Sequence, residues 1–89
     1  MVRDRVKISN KLGIPAQLAA KLVDEAIEYN SDIKIIYNDQ EVNAKDMMEV
    51  MGLEVNQEAE ILVRADGQDE SEAVKSIVGV VEEVLGDLM

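Results

Sequence analysis

The spacing of apolar residues changes character along this chain, from every second position to helical intervals and back, and the order of those changes narrows the fold most. Val2 to Ile8 alternates, with Val6 and Ile8 on one face and Arg5 and Lys7 on the other, as a half-buried strand does. Asn10 to Ile14 reads as a loop, with Gly13 free to take a positive φ. Pro15 suits the first position of a helix, where a missing N–H costs nothing. That helix is expected to bury Ala16, Ala19, Ala20, Val23, Ala26 and Ile27, to expose Lys21, Asp24, Glu25 and Glu28, and to pack Leu18, Leu22 and Tyr29 as a flanking stripe on another helix. Ile33 to Tyr37 is a second strand, turned through Asn38-Asp39-Gln40 into a short third one at Glu41-Val42-Asn43. Asp46, with Glu49 three residues on, opens a short helix ending near Gly52. Glu60 to Ala65 alternates again, and Asp69 with Glu72 repeats the capping pattern before a last helix that lines up Ala73, Val74, Ile77, Val78, Val81, Val84, Leu85 and Leu88. The predicted order is β-α-β-β-α-β-α. One-sided strands and amphipathic helices call for an α+β fold with helices layered on one face of a sheet, in a single domain spanning 1–89.

Composition removes several function classes. A chain of 89 residues with 47% apolar residues can build one two-layer core. No apolar stretch approaches the ~18 residues of a membrane span. The start, Met1-Val2-Arg3-Asp4-Arg5-Val6-Lys7, has no apolar segment like that of a signal peptide. Without cysteine there is no disulfide framework or thiolate chemistry, which agrees with a cytoplasmic protein. The net charge of −10 is uneven: residues 1–38 hold six Lys/Arg against five Asp/Glu (+1), and residues 39–89 hold three against fourteen (−11). Such a surface repels nucleic acid and anionic lipid, and it suits either plain solubility or a basic partner. Tyr29 and Tyr37 are the sole aromatic residues, too few to stack bases. Asp66, Asp69 and Glu70 lack the alternating oxygen ligands of a calcium loop and read as capping residues, so no metal or cofactor is implied.

The segment Asn10-Lys11-Leu12-Gly13-Ile14-Pro15-Ala16-Gln17-Leu18-Ala19-Ala20 carries the sharpest signal. It resembles the active-site segment of the HPr family, the histidine phosphocarriers of the bacterial sugar phosphotransferase system. There the pattern runs Asn-Lys-x-Gly-(Ile/Leu)-His-Ala-Arg-Pro-Ala. The resemblance extends through Glu41-Val42-Asn43-Ala44-Lys45, Met47-Met48, Val50-Met51, Ala59-Glu60-Ile61 and Ala65 to Ala73. It implies an open-faced sandwich: four antiparallel strands covered on one face by three helices. Glu58 stands where the family often has glycine, which sets that turn apart.

The frame is kept and the reactive groups are not. Pro15 stands at the position of the family's phosphorylated histidine, Gln17 at that of its arginine and Leu18 at that of a proline, and the chain contains no histidine at all. Proline offers neither a nucleophile nor a leaving group. Gln17 donates hydrogen bonds but carries no charge to stabilise a phosphoryl group. Ser9, Ser31, Ser71 and Ser76 are poor substitutes, because a serine ester does not readily return its phosphoryl group. No aspartate lies beside Pro15 at the helix start.

In many members of the family a kinase phosphorylates a serine at the start of the second helix, in Asn-Ala-Lys-Ser; here the motif reads Asn43-Ala44-Lys45-Asp46. Asp46 reads either as a permanent imitation of phosphoserine or as an N-cap accepting from Met48 or Glu49 N–H, and the two are compatible. Met47, Met48 and Met51 fall at the family's docking surface for partner proteins, together with Gln17 and Ala20 of the first helix. Methionine serves adaptable docking faces and cores alike, so one of the three is expected in the core and the others partly exposed. Two functions follow: a binding or regulatory module that docks phosphotransferase-system enzymes or a transcriptional regulator without catalysis or phosphate transfer, or a phosphocarrier acting through another residue. An inactive paralogue is the third reading.

Overall fold

A computed structural model describes residues 1–8, 14–55 and 59–88. The elements run β1 (Val2–Ile8), α1 (Ala16–Ala26), β2 (Asp32–Tyr37), β3 (Gln40–Asn43), α2 (Met47–Gly52), β4 (Ala59–Asp66) and α3 (Glu70–Leu88). The four strands form one antiparallel sheet in the order β1-β4-β2-β3. The expected α+β sandwich is present. The loop residues Asn10 to Gly13, the turn at Glu58 and the side chain of Leu88 fall outside the described residues.

Register follows the alternation. Val6 pairs with Ile61 and Ile8 with Ala59 across β1–β4, while Ile33 pairs with Ala65 and Ile35 with Val63 across β2–β4. All of these except the half-buried Ala59 belong to the buried core, so the inward positions of neighbouring strands face one helical layer. The opposite face stays open and is laced with ion pairs: Arg64 with Glu41, and Arg5 with Glu60 at 3.6 Å. Asn38, at φ 55, makes the β2–β3 turn, a conformation asparagine tolerates better than most residues.

The first helix is rotated relative to its expected orientation. Its buried residues are Leu18, Ala19, Leu22 and Ala26, whereas Ala16, Ala20 and Ile27 are exposed. Leu18 and Leu22 bury far more apolar area than alanines do, so they turn the helix about its axis. Pro15 is the N-cap, at φ −72 and ψ 157, one position before the first helical residue. Glu25, expected on the solvent face, accepts a hydrogen bond from Ser76 Oγ at 2.6 Å and so links α1 to α3.

The capping pattern at Asp69 also resolves differently. Its carboxylate reaches across to the chain before β2, accepting from Asn30 N and Ser31 N, each at 2.9 Å, and from Ser31 Oγ. Ser31 is the one buried polar residue among those described, so its donors need an internal acceptor. The Ser31 hydroxyl first, then the Asn30 N–H, holds the Asp69 carboxyl below its ordinary value of 3.8. Gly67, at φ +155, lies against the same serine.

Candidate functional site

Two helix starts carry the residues singled out by the sequence, and α1 packs directly on α2. At the first, Pro15 is half-buried, Ala16 and Gln17 are exposed and Leu18 is wholly buried. Pro15 contributes its carbonyl, which accepts from Ala19 N at 3.0 Å, and no side-chain cap. No acidic residue occupies the first turn of α1. Pro15, Ala16 and Gln17 present here an apolar ring, a methyl group and a neutral amide. None of these can accept a phosphoryl group and pass it on.

The second start is densely tied. Asp46 is the N-cap of α2 and accepts from Glu49 N at 3.1 Å, one of the two donors expected. Glu49 does not return the bond to Asp46, as a full capping box would; its Oε1 accepts from Asn43 N at 3.1 Å, while Asp46 N donates to the Asn43 carbonyl at 3.0 Å. Asn43 Oδ1 accepts from Lys45 N at 3.0 Å, closing an Asx turn. Lys45 Nζ then donates to the Tyr29 carbonyl at 2.7 Å, just beyond the end of α1, where a cation is favoured by the helix dipole. Sequence reasoning missed this lysine and Glu25. The absence of a basic residue from the last turn of α1 was the available signal for Lys45.

The methionines differ from expectation. Met47, Met48 and Met51 are 36%, 85% and 48% exposed, and Val50 fills the core position of α2 instead. A helix of six residues turns few side chains inward, and the smaller β-branched residue takes that place. Ala20 and Gln17 of α1 are exposed as well. All the residues expected at the docking surface therefore face outward on two adjoining helices.

Because Asp46 caps through one oxygen, Asp46→Ser should shift stability by a few tenths of a kcal/mol and Asp46→Ala should lower it by about 1 kcal/mol. Urea unfolding of the three proteins measures this. Equal stability of all three would show that the Asp46–Glu49 bond contributes nothing.

Residues 2–83 match the family described as the PTS HPr component phosphorylation site. The HPr-like protein Crh of Bacillus subtilis is 36% identical over 83 residues, covering 93% of this chain and 98% of its own. A crystal structure of Crh, named there as a catabolite repression protein with a swapped domain in a dimer, superposes with TM-score 0.74 at 36% identity over 93% of this chain and 95% of that one. The phosphocarrier protein HPr of Buchnera aphidicola is 34% identical over 84 residues, or 94% of this chain and 99% of its own. A Mycoplasma histidine-containing phosphocarrier protein gives TM-score 0.90 at 31% identity, covering 94% of this chain and 96% of that one. With matched sequence from β1 into α3 and the same sandwich, the chain belongs to the HPr family.

Proposed function

We propose that this chain works as an HPr-like protein-binding or regulatory module and not as a histidine phosphocarrier. One observation carries the reading: the chain has no histidine, and the residue preceding α1 is Pro15. The family's chemistry places a phosphoryl group on an imidazole nitrogen beside a helix N-terminus. Pro15 removes the imidazole, and Gln17 in the arginine's place removes the charge that would stabilise the group. Two serines among the described residues are already engaged. Ser31 is buried and bonded to Asp69, and Ser76 is bonded to Glu25.

What remains is a surface. Gln17, Ala20, Met47, Met48 and Met51 would meet a phosphotransferase-system enzyme or a transcriptional regulator in the cytoplasm, and Asp46 would stand where phosphoserine stands in relatives. Its carboxylate supplies one negative charge against roughly −1.5 to −2 for a phosphate, so partners that need phosphoserine would see a weaker version permanently present. The HPr-like Crh, named for catabolite repression, supports a regulatory reading for a relative of this kind. No cofactor is needed. Among the described residues no helix is long and apolar enough to cross a membrane.

Incubation with phosphoenolpyruvate and the system's first enzyme, read by intact mass, tests the proposal. The expected result is an unaltered mass and no acid-labile adduct. A stoichiometric phosphoryl gain would establish the alternative, a carrier acting through another residue.

A further inference from the structure

The strand β1, seven residues long, forms one edge of the sheet, on the opposite side from β3. The N–H of Arg5 points away from β4, since Asp4 Oδ1 accepts it at 2.8 Å. Main-chain groups alternate in direction along a strand, so those of Arg3, Arg5 and Lys7 face the open edge. Two clefts straddle that edge. One lies between β1 and α3, measures about 440 Å³ and is walled in part by Val2, Val74, Val78 and Gly79. The other lies on the open sheet face and is lined by Arg3, Asp4, Arg5 and Leu62. Arg3 and Asp4 line both, so the clefts meet along the strand. The side chains of an added strand would fall alternately into one and the other.

Charge decides which strand fits. The chain is acidic overall, yet five of its nine Lys/Arg (Arg3, Arg5, Lys7, Lys34 and Arg64) share the open face. Arg3, Arg64 and Lys34 stand directly opposite one another across three strands, which costs stability unless negative charge meets them. The carboxylates of that face are engaged already: Glu41 with Arg64, Glu60 with Arg5 at 3.6 Å, Asp32 with Lys34 at 3.8 Å, and Asp66 with the Met1 amine at 3.7 Å. Among the described residues, Arg3 and Lys7 have no ion-pair partner. The unmatched positive charge therefore sits on the edge strand. A second copy of β1 laid there with the same face outward would set cation against cation, which repels it.

We propose that the β1 edge takes up an extended, acidic segment of a partner protein as an added strand. The segment's Asp or Glu side chains, at every second position, meet Arg3, Arg5 and Lys7. The apolar residues between them enter the cleft beside α3. Asp4 holds the edge in check, because its carboxylate occupies the Arg5 N–H that an incoming carbonyl needs. The α2 helix packs beside β3, so this surface is separate from the methionines and stands whether or not the module reading does.

The test uses the full chain and two synthetic peptides of about eight residues, the span of an ordinary strand. One alternates valine with glutamate, the other valine with lysine. Amide hydrogen exchange, read by NMR, should slow at Arg3, Arg5 and Lys7 with the glutamate peptide and stay unchanged with the lysine peptide. Binding should weaken with added salt. Gly79→Leu should fill the cleft and lower affinity about tenfold. A Cβ at Gly79 meets nothing within 4 Å, and a helix gains by losing a glycine, so thermal stability should not fall. Asp4→Ala should raise affinity by freeing the Arg5 N–H. Shifts on the open face without slowed exchange would reduce the effect to charge attraction and overturn the proposal. Equal protection by both peptides, or undiminished binding to Gly79→Leu, would overturn it as well. Protection of the same amides without peptide, rising with protein concentration, would give the edge to a second copy and likewise overturn it.

Discussion

Replacing Gly67 by alanine should destabilise the protein by about 3 kcal/mol, lowering Tm by roughly 12–24 °C for a domain of this size. Two costs combine. Gly67 has φ +155, which an L side chain rarely adopts, and such a conformation costs of order 1–3 kcal/mol. An added Cβ would also lie 2.6 Å from Ser31 Oγ and 2.8 Å from Ser31 Cα. Ser31 cannot yield easily, because its N–H and hydroxyl are both held by Asp69. Moving it would strand donors in the interior, at ~1–3 kcal/mol for each left without an acceptor. Differential scanning calorimetry measures the loss. A companion variant, Gly67→Ala with Ser31→Gly, relieves the clash with the serine side chain. It leaves the close approach to the main chain at position 31 and the φ cost, so it should recover part of the loss at most. If Gly67→Ala melts within two or three degrees of the parent, the close approach to Ser31 is not a constraint on the fold.

That position also shows where local sequence rules stop. Gly67, Asp69 and Glu72 read as a helix start, and a helix does start there. The carboxylate, however, is drawn to a residue 38 positions away, because Ser31 is buried and must be satisfied internally. Nothing near Asp69 in the sequence announces Ser31. The strands were legible for the opposite reason. With one sheet face open, Val6 and Ile8, Ile33 and Ile35, and Ile61, Val63 and Ala65 are forced to alternate with polar or half-exposed neighbours, and an alternation survives any choice of partner.

The first helix was legible in length and misread in orientation. Six small or apolar residues suggested a face centred on the alanines, yet Leu18 and Leu22, one turn apart, carry most of the area that burial can reward. Turning them inward leaves Ala16, Ala20 and Ile27 outside. The same displacement adds Ile27 to the exposed apolar side chains, alongside the methionines in the count. Val50, by taking the core position of α2, leaves all three methionines outward. The exposed apolar face is thus a by-product of which side chains the core selects, and counting apolar residues along a helix does not reveal it.

Restoring the reactive groups should show which losses matter. Pro15→His is expected to fold, since Pro15 is a half-exposed N-cap whose extended ψ of 157 any residue can adopt, and its side chain caps nothing. Leu18 should be left in place, because it is wholly buried and now belongs to the core. The introduced imidazole would sit at the N-terminus of α1, where the helix dipole and first-turn N–H groups favour an incoming anion. Exposed Gln17 still supplies no charge. Pro15→His alone should therefore take up phosphoryl groups slowly from phosphoenolpyruvate and the system's first enzyme. Adding Gln17→Arg should raise the initial rate about 100-fold, the scale on which a well-placed donor stabilises a transition state. Intact mass against time measures both, with the parent chain as the unmodified control. Full activity from Pro15→His alone would show that the helix start suffices and that the arginine's charge is dispensable. No uptake by the double variant, with its melting temperature intact, would mean that the docking face no longer fits the phosphorylating enzyme, and the divergence would then reach beyond the reactive centre.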